Sequence, residues 1–332
     1  MKWIQMTDPA VRLEGLAVAD PDARRYWRLP EDLIDRVNEG VSGAARWPSG
    51  ARVRFATDSA RLELRAQIGP AGYIKNVGAI GKCGLSGYVD GRWRYVVYPA
   101  SSDAEEMTGE CALDGAMHEH LIYLPLFTPL YGLEIGLEEG ASLLPPRPYA
   151  VRRPLVFYGS SITNGASATH AGNAYVSVVC RRLDADFVNL GFSGSARGEE
   201  NLARYIAGLD MSLLVMDYDH NAPDAAHLER THEVFFRIVR QARPDLPVVM
   251  LSKPDFDMDP VENARRRAVI RRTFEHAQAA GDRRVRFLDG EALFGDCERW
   301  DCLVDGTHPN DLGFRRMADA LTPVLRELLA GA

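Results

Sequence analysis

The sequence predicts an α/β protein in two parts. An all-β sandwich of jelly-roll-like type comes first, and a five-stranded parallel sheet with helices on both faces follows it. Three observations carry this. Apolar runs at 155–158, 187–190, 213–216, 248–251 and 285–288 alternate with helical patterns at 174–183, 228–243, 261–280 and 312–329. This is βαβ order, with right-handed crossovers following from strand twist. Upstream, period-two alternation replaces it. Between the two regions stands Leu143-Leu144-Pro145-Pro146-Arg147-Pro148, which can continue neither a helix nor a central strand. The chain therefore divides into 1–150 and 151–332.

In the first part, Val53 and Phe55, then Leu62, Leu64, Ala66 and Ile68, then Trp93, Tyr95 and Val97 each point apolar side chains to one face, and runs at 121–124 and 133–136 follow. Asp90-Gly91 is a hairpin signal between two such strands. In the second part, the run Pro154-Leu155-Val156-Phe157-Tyr158 is long enough for a buried strand and leads directly into Gly159-Ser160-Ser161-Ile162-Thr163, with an Asn164-Gly165 turn signal beyond. That places Ser161 at the carboxyl edge of a parallel strand, where open α/β sheets form their ligand crevice. The last helix is expected from about Asp311.

Composition excludes several function classes. The 332 residues are 46% hydrophobic and carry a formal net charge of −7, with 39 Lys and Arg against 46 Asp and Glu. A nucleic-acid surface needs clustered positive charge, and the runs Arg152-Arg153, Arg265-Arg266-Arg267 and Arg271-Arg272 are expected at an element edge or on a solvated helix face. No nucleic-acid partner is expected. Nor is a membrane partner, since no window approaches a spanning length. The first residues lack the apolar stretch of a signal peptide, so the expected location is cytoplasmic. Five cysteines, with no CxxC spacing, read as reduced thiols filling packed space.

Near the C-terminus, Asp305-Gly306-Thr307-His308 supplies a carboxylate and an imidazole three residues apart in a loop. The carboxylate can hold the imidazole's tautomer while its other nitrogen faces a serine. The second strand runs into Gly191-Phe192-Ser193-Gly194-Ser195 and the third into Asp217-Tyr218-Asp219-His220-Asn221. A glycine N–H and an asparagine amide are suitable donors for the oxyanion that forms when a hydroxyl attacks an ester carbonyl. Each residue alone has a plainer reading. Ser161 and Gly194 could be turn formers, Asn221 a cap, and His308 a cap for the last helix.

In this order the four segments resemble the SGNH, or GDSL-like, hydrolase superfamily, whose hallmark residues match Ser161, Gly194, Asn221 and His308, with Asp305 as the carboxylate. The resemblance covers the region from about Arg152 onward. It implies a flavodoxin-like three-layer α/β/α fold and esterase or deacylase chemistry that needs no cofactor or metal. It also implies an oxyanion hole from the Ser161 N–H, the Gly194 N–H and the Asn221 side chain. Two departures mark a subfamily: Ser160 replaces the usual aspartate before the nucleophile, and Tyr218-Asp219-His220-Asn221-Ala222 replaces Gly-x-Asn-Asp. The first part resembles the β-sandwich of acetylxylan-esterase-like bacterial members, through Cys83-Gly84-Leu85-Ser86-Gly87-Tyr88 and Tyr123-Leu124-Pro125-Leu126-Phe127.

The expected substrate is a small-molecule or oligosaccharide ester, with O-deacetylation of a carbohydrate foremost. A lipase or thioesterase and a non-catalytic carbohydrate-binding protein are the alternatives. His220 and Lys253, at the ends of the third and fourth strands, are further candidates for substrate contact. His118 and His120 fall on one strand face without an evident third metal ligand, and read as hydrated surface. Trp93 and Tyr98 are candidates for a homo-oligomer contact.

Overall fold

The computed structural model describes residues 1–70, 72–101 and 103–331. The N-terminal region contains strands β1 (Lys2–Gln5), β2 (Arg12–Glu14), β3 (Val18–Asp20) and β4 (Arg25–Trp27). Short helices α1 (Glu31–Ile34) and α2 (Glu39–Ala44) come next. They are followed by β5 (Arg52–Thr57), β6 (Arg61–Ile68), α3 (Ala79–Cys83), β7 (Leu85–Val89), β8 (Arg92–Val97), β9 (Glu106–Ala112), β10 (His118–Tyr123), β11 (Leu130–Leu137) and β12 (Leu143–Leu144). Two antiparallel sheets face each other, one ordered β1-β11-β6-β9 and the other β12-β5-β10-β7-β8 with β2 added to β5. Alternation dictates the packing: Leu62, Leu64, Ala66 and Ile68 of β6 all enter the sandwich core with Val53, Phe55 and Ile122. Asp90 and Gly91 both take positive φ, 48° and 76°, as a two-residue hairpin between β7 and β8 requires.

The second region continues with β13 (Val151–Gly159), α4 (Ser161–Asn164), α5 (Tyr175–Leu183), β14 (Ala185–Gly191), α6 (Glu200–Gly208), β15 (Leu213–Asp217), α7 (Ala225–Ala242), β16 (Val248–Leu251), α8 (Pro260–Ala279), β17 (Val285–Leu288), α9 (Gly290–Leu293) and α10 (Asp311–Ala330). Its five parallel strands are ordered β14-β13-β15-β16-β17. Strand β13 is hemmed in on both sides and covered on both faces, so Leu155, Val156, Phe157 and Tyr158 are fully buried. That explains an unbroken apolar run where a half-exposed strand would alternate. The chain leaves β13 to one side for β14 and to the other for β15. The loops after these three strands therefore meet above the carboxyl edge.

Three features depart from the sequence reading. Residues 29–45 do not join the sandwich core: Leu29, Leu33, Ile34, Val41, Ala44 and Ala45 pack with Tyr158, Leu190, Phe192 and Leu202 of the α/β region. Helix α6 has no counterpart among the expected helices. Arg266, expected on a solvated helix face, is buried, because its guanidinium turns inward beneath the turn after β15.

Candidate active site

Strand β13 ends at Gly159, where an added Cβ would lie 2.0 Å from Thr163 Oγ1 and 2.6 Å from the Asp217 carbonyl oxygen. Only a glycine lets the chain turn this closely. Ser160 then caps α4, its hydroxyl oxygen accepting the Ile162 N–H at 3.2 Å. The serine in place of the family's usual aspartate therefore still serves as a helix cap. Ser161 is the first helical residue, so its N–H has no intrahelical acceptor. Helix α4 stops after one turn at Gly165, with φ of 105°.

Beneath this turn, Thr163 Oγ1 and Tyr175 OH each donate to Asp217 Oδ2 at 2.8 Å. Burial pushes the Asp217 carboxyl up to about 6, against the pull of the Thr163 bond, the His220 charge and the Tyr175 bond. The turn that carries Ser161 thus rests on a hydrogen-bonded buried acid.

Ser161, 7% exposed, places Oγ 2.9 Å from His308 Nε2. On the other side of the ring, Nδ1 lies 3.0 Å from both Asp305 oxygens. A proton held on Nδ1 by this carboxylate leaves Nε2 as the acceptor facing the serine hydroxyl. Asp305 Oδ1 also accepts the backbone N–H groups of His308 at 2.9 Å and Thr307 at 3.2 Å. Burial works to raise the Asp305 carboxyl, but these bonds and the His308 charge outweigh it and hold it below the usual carboxylate range. Gly306, at φ of 82°, supplies the left-handed turn between the two side chains. The helix that follows is capped by Asn310, not by His308.

The remaining two residues lie in the loops that follow β14 and β15. Gly194 adopts φ of 69°. Asn221 closes a 3₁₀ turn over Asp219–Asn221 and donates one Nδ2 hydrogen to the Phe192 carbonyl at 2.9 Å. That bond orients the amide and leaves its second hydrogen available. Phe192 also ties the loops to β13, its N–H reaching the Gly159 carbonyl at 2.9 Å.

The two further candidates lie in one cluster. His220 Nε2 is 2.8 Å from Asp255 Oδ1, with the ring only 5% exposed, and Lys253 Nζ stands 3.6 Å from Asp255 Oδ2. Both groups are thereby engaged with Asp255. His118 is clamped between Asp90 and Asp114 at 2.6 and 2.7 Å. His120 corrects the hydrated reading: it is 1% exposed and lies flat on Phe55 in the sandwich core. Among the described residues, no group of three or more His, Cys, Asp or Glu could hold a metal ion. Trp93 and Tyr98 are exposed, and the Trp93 ring stacks 5.9 Å from His170 of the α/β region.

What the sequence did not reveal is the support behind these two loops: Arg28 and Asn38 behind the Gly194 loop, and Arg266 behind the Asn221 turn. A buried arginine bonded to carbonyls has no periodicity to betray it.

The family model of the GDSL-like lipase/acylhydrolase family matches residues 152–326, and that of the N-terminus of SGNH-hydrolase-type esterases matches residues 1–143. The chain belongs to the GDSL-like lipase/acylhydrolase family and is a carboxylic ester hydrolase of the SGNH type. Among solved structures, it is similar to a protein from Bacteroides ovatus named as a GDSL-like lipase, with 25% identity, a TM-score of 0.86 and 99% and 98% of the two chains covered. The salicylyl-acyltransferase SsfX3 of a tetracycline biosynthetic pathway shares the fold at 22% identity, a TM-score of 0.82 and coverage of 98% and 97%. So does an acetyl xylan esterase from Butyrivibrio proteoclasticus, at 12% identity, a TM-score of 0.61 and coverage of 99% and 100%. No curated protein matches the chain.

Proposed function

We propose that this protein removes a small acyl group, acetyl foremost, from a hydroxyl of a carbohydrate by two-step acyl transfer at Ser161. His308 Nε2 takes the hydroxyl proton as Oγ attacks the ester carbonyl. Asp305 supports the imidazolium, and the Ser161 N–H, Gly194 N–H and Asn221 Nδ2 receive the developing oxyanion. His308 then protonates the leaving alcohol, and water repeats the sequence on the acyl-enzyme. The observation that carries the reading is the relay of 2.9 Å and 3.0 Å from Ser161 Oγ through the imidazole to Asp305.

The substrate class is supported by the surroundings. A long acyl chain needs an apolar tunnel, and no segment of the sequence declares one. The acetyl xylan esterase among the neighbours points the same way. The test is a series of p-nitrophenyl esters of increasing acyl length beside acetylated oligosaccharides. Preference for acetyl with release of acetate from the sugar supports the reading. An optimum beyond butyryl would instead identify a lipase or thioesterase, and absence of any turnover would leave a binding protein.

A further inference from the structure

We infer that the N-terminal region supplies positioning residues for the oxyanion hole: Arg28 and helix α2 hold the loop that carries Gly194 in its donor geometry. The inference rests on the reading of Gly194 and Asn221 as oxyanion donors.

Arg28 is fully buried, yet among the described residues no carboxylate partners it. Its Nη1 donates to the carbonyls of Asn189 at 3.1 Å and Gly191 at 2.5 Å, at the carboxyl end of β14. Its Nη2 donates to the Ala44 carbonyl at 2.6 Å and to Asn164 Oδ1 at 3.2 Å. The guanidinium lies 4.7 Å over the ring of Phe192, the residue whose carbonyl accepts from Asn221. One side chain therefore joins three parts of the site: the last residue of the nucleophile helix α4, the end of the strand leading to Gly194, and the residue that orients Asn221. An uncompensated buried guanidinium is costly to desolvate. Joining elements that no backbone ladder joins is a use that accounts for it.

Helix α2 braces the same loop from outside. Asn38, which caps α2 through Oδ1 to the Val41 N–H at 3.0 Å, turns its Nδ2 to the Ser195 carbonyl at 3.0 Å and to Glu199 Oε1 at 2.6 Å. Gly40 lies flush against the residue after Gly194: a Cβ there would fall 2.0 Å from Ser195 Oγ and 2.9 Å from Ser195 Cβ. Gly43, in the same helix, would meet nothing within 4 Å. The absence of a side chain at 40 is thus a fitted contact, while the one at 43 is not.

This pair of glycines gives the test. Alanine at either position gains up to about 1 kcal/mol of helix propensity, and the two differ in that only the methyl at 40 meets Ser195. The kcat and KM for p-nitrophenyl acetate are measured per active site titrated with a fluorophosphonate. Gly43→Ala should match wild type. Gly40→Ala should lose about 3- to 10-fold in kcat with KM little changed, because a displacement of even 1 Å can cost about 100-fold. Adding Ser195→Gly to Gly40→Ala removes both atoms that the new methyl meets and should restore most of the loss. Arg28→Lys, which keeps the charge but not the fork, should lose about 10- to 100-fold in kcat and leave the acidic limb of the pH–rate profile in place, since the Asp305 and His308 loop is untouched. Asn221→Ala serves as the reference for the reading beneath. If Asn221→Ala costs the expected 10²- to 10³-fold while Gly40→Ala equals Gly43→Ala, the N-terminal brace is overturned alone. If Asn221→Ala leaves kcat unchanged, the donor reading falls and the brace falls with it.

Discussion

The loops that bring Gly194 and Asn221 toward Ser161 are each backed by a buried arginine, and the two arginines are built differently. Arg266 comes from α8, within the same α/β region as its loop. It donates from Nη1 to the carbonyls of Asp219 at 2.9 Å and Ala222 at 3.0 Å, and it pairs with the carboxylates of Asp219 and Glu262. Arg28 comes from more than 160 residues upstream of the loop it holds, and its acceptors are three carbonyls and one amide oxygen, all neutral. Burial pushes its guanidinium down to about 9 with no opposing carboxylate. The Asn221 turn is therefore held by an ion-paired clamp belonging to the α/β region. The Gly194 loop depends on a neutral-acceptor clamp lent by the N-terminal region. This difference gives the N-terminal region a role in the chemistry that its sandwich strands do not suggest.

The largest expected effect separates the two clamps by pH. Arg266→Met should cost about 3–5 kcal/mol of stability by leaving Asp219 buried without its guanidinium partner, only the Lys253 N–H at 3.1 Å remaining bonded to the carboxylate. Asp219 is already raised by burial, against the charges of His220, Lys253 and Arg266. Loss of Arg266 raises it further. A carboxyl raised in the folded state binds more protons folded than unfolded, so stability falls as pH rises through the window above its unfolded value. Urea melts should therefore show the deficit largest at pH 8 and smaller at pH 5. A deficit independent of pH would mean that Asp219 is not what Arg266 neutralises.

Next in size is Asn221→Ala, expected to lower kcat by about 10²- to 10³-fold, or about 2.7–4 kcal/mol of transition-state stabilisation, with KM little changed. Equal losses through KM would place Asn221 in ground-state binding. Arg28→Met should cost about 1–3 kcal/mol of stability for a buried acceptor left unmet. Because no carboxylate is exposed by its loss, the deficit should be the same at pH 5 and pH 8, in contrast to Arg266→Met.

Both comparisons are read as differences from wild type, which has an acid slope of its own. Burial pushes His120 down to about 4 and His232 to about 3. The unfolded chain then binds more protons below about 6.5, so stability is lost as pH falls from there. His120→Leu should flatten this slope as measured by urea midpoints from pH 7 to pH 5. An unchanged slope would assign it to His232 and other groups.

The comparison also marks where sequence reading stops. The five parallel strands were legible because a strand buried on both faces needs an unbroken apolar run, and 248–251 and 285–288 agree with β16 and β17 to the residue. The placement of Ser161, Gly194, Asn221, Asp305 and His308 at element ends was legible because each follows a strand or precedes a helix, where residue type is constrained by turn geometry. Helix α6 was missed, since only Leu202 and Ile206 of Glu200–Gly208 are large and aliphatic and its other buried positions are the small Ala203 and Ala207. Arg28 and Arg266 were illegible for a physical reason. An arginine is buried here by the carbonyls it meets in three dimensions, and nothing in Trp27-Arg28-Leu29 or in a run of three arginines distinguishes that from a solvated side chain. His120 was misread because a two-residue repeat of histidines says nothing about whether Phe55 lies across the sheet to receive the ring.

The account's central claim is that Ser161 is the nucleophile of the assembled site, and intact-mass spectrometry after fluorophosphonate treatment tests it directly. The wild-type chain should gain one adduct, mapped by peptide fragmentation to Ser161, and Ser161→Ala should gain none while retaining its fold by circular dichroism. A wild-type chain that stays unlabelled, or an adduct of equal yield in Ser161→Ala, would contradict the claim.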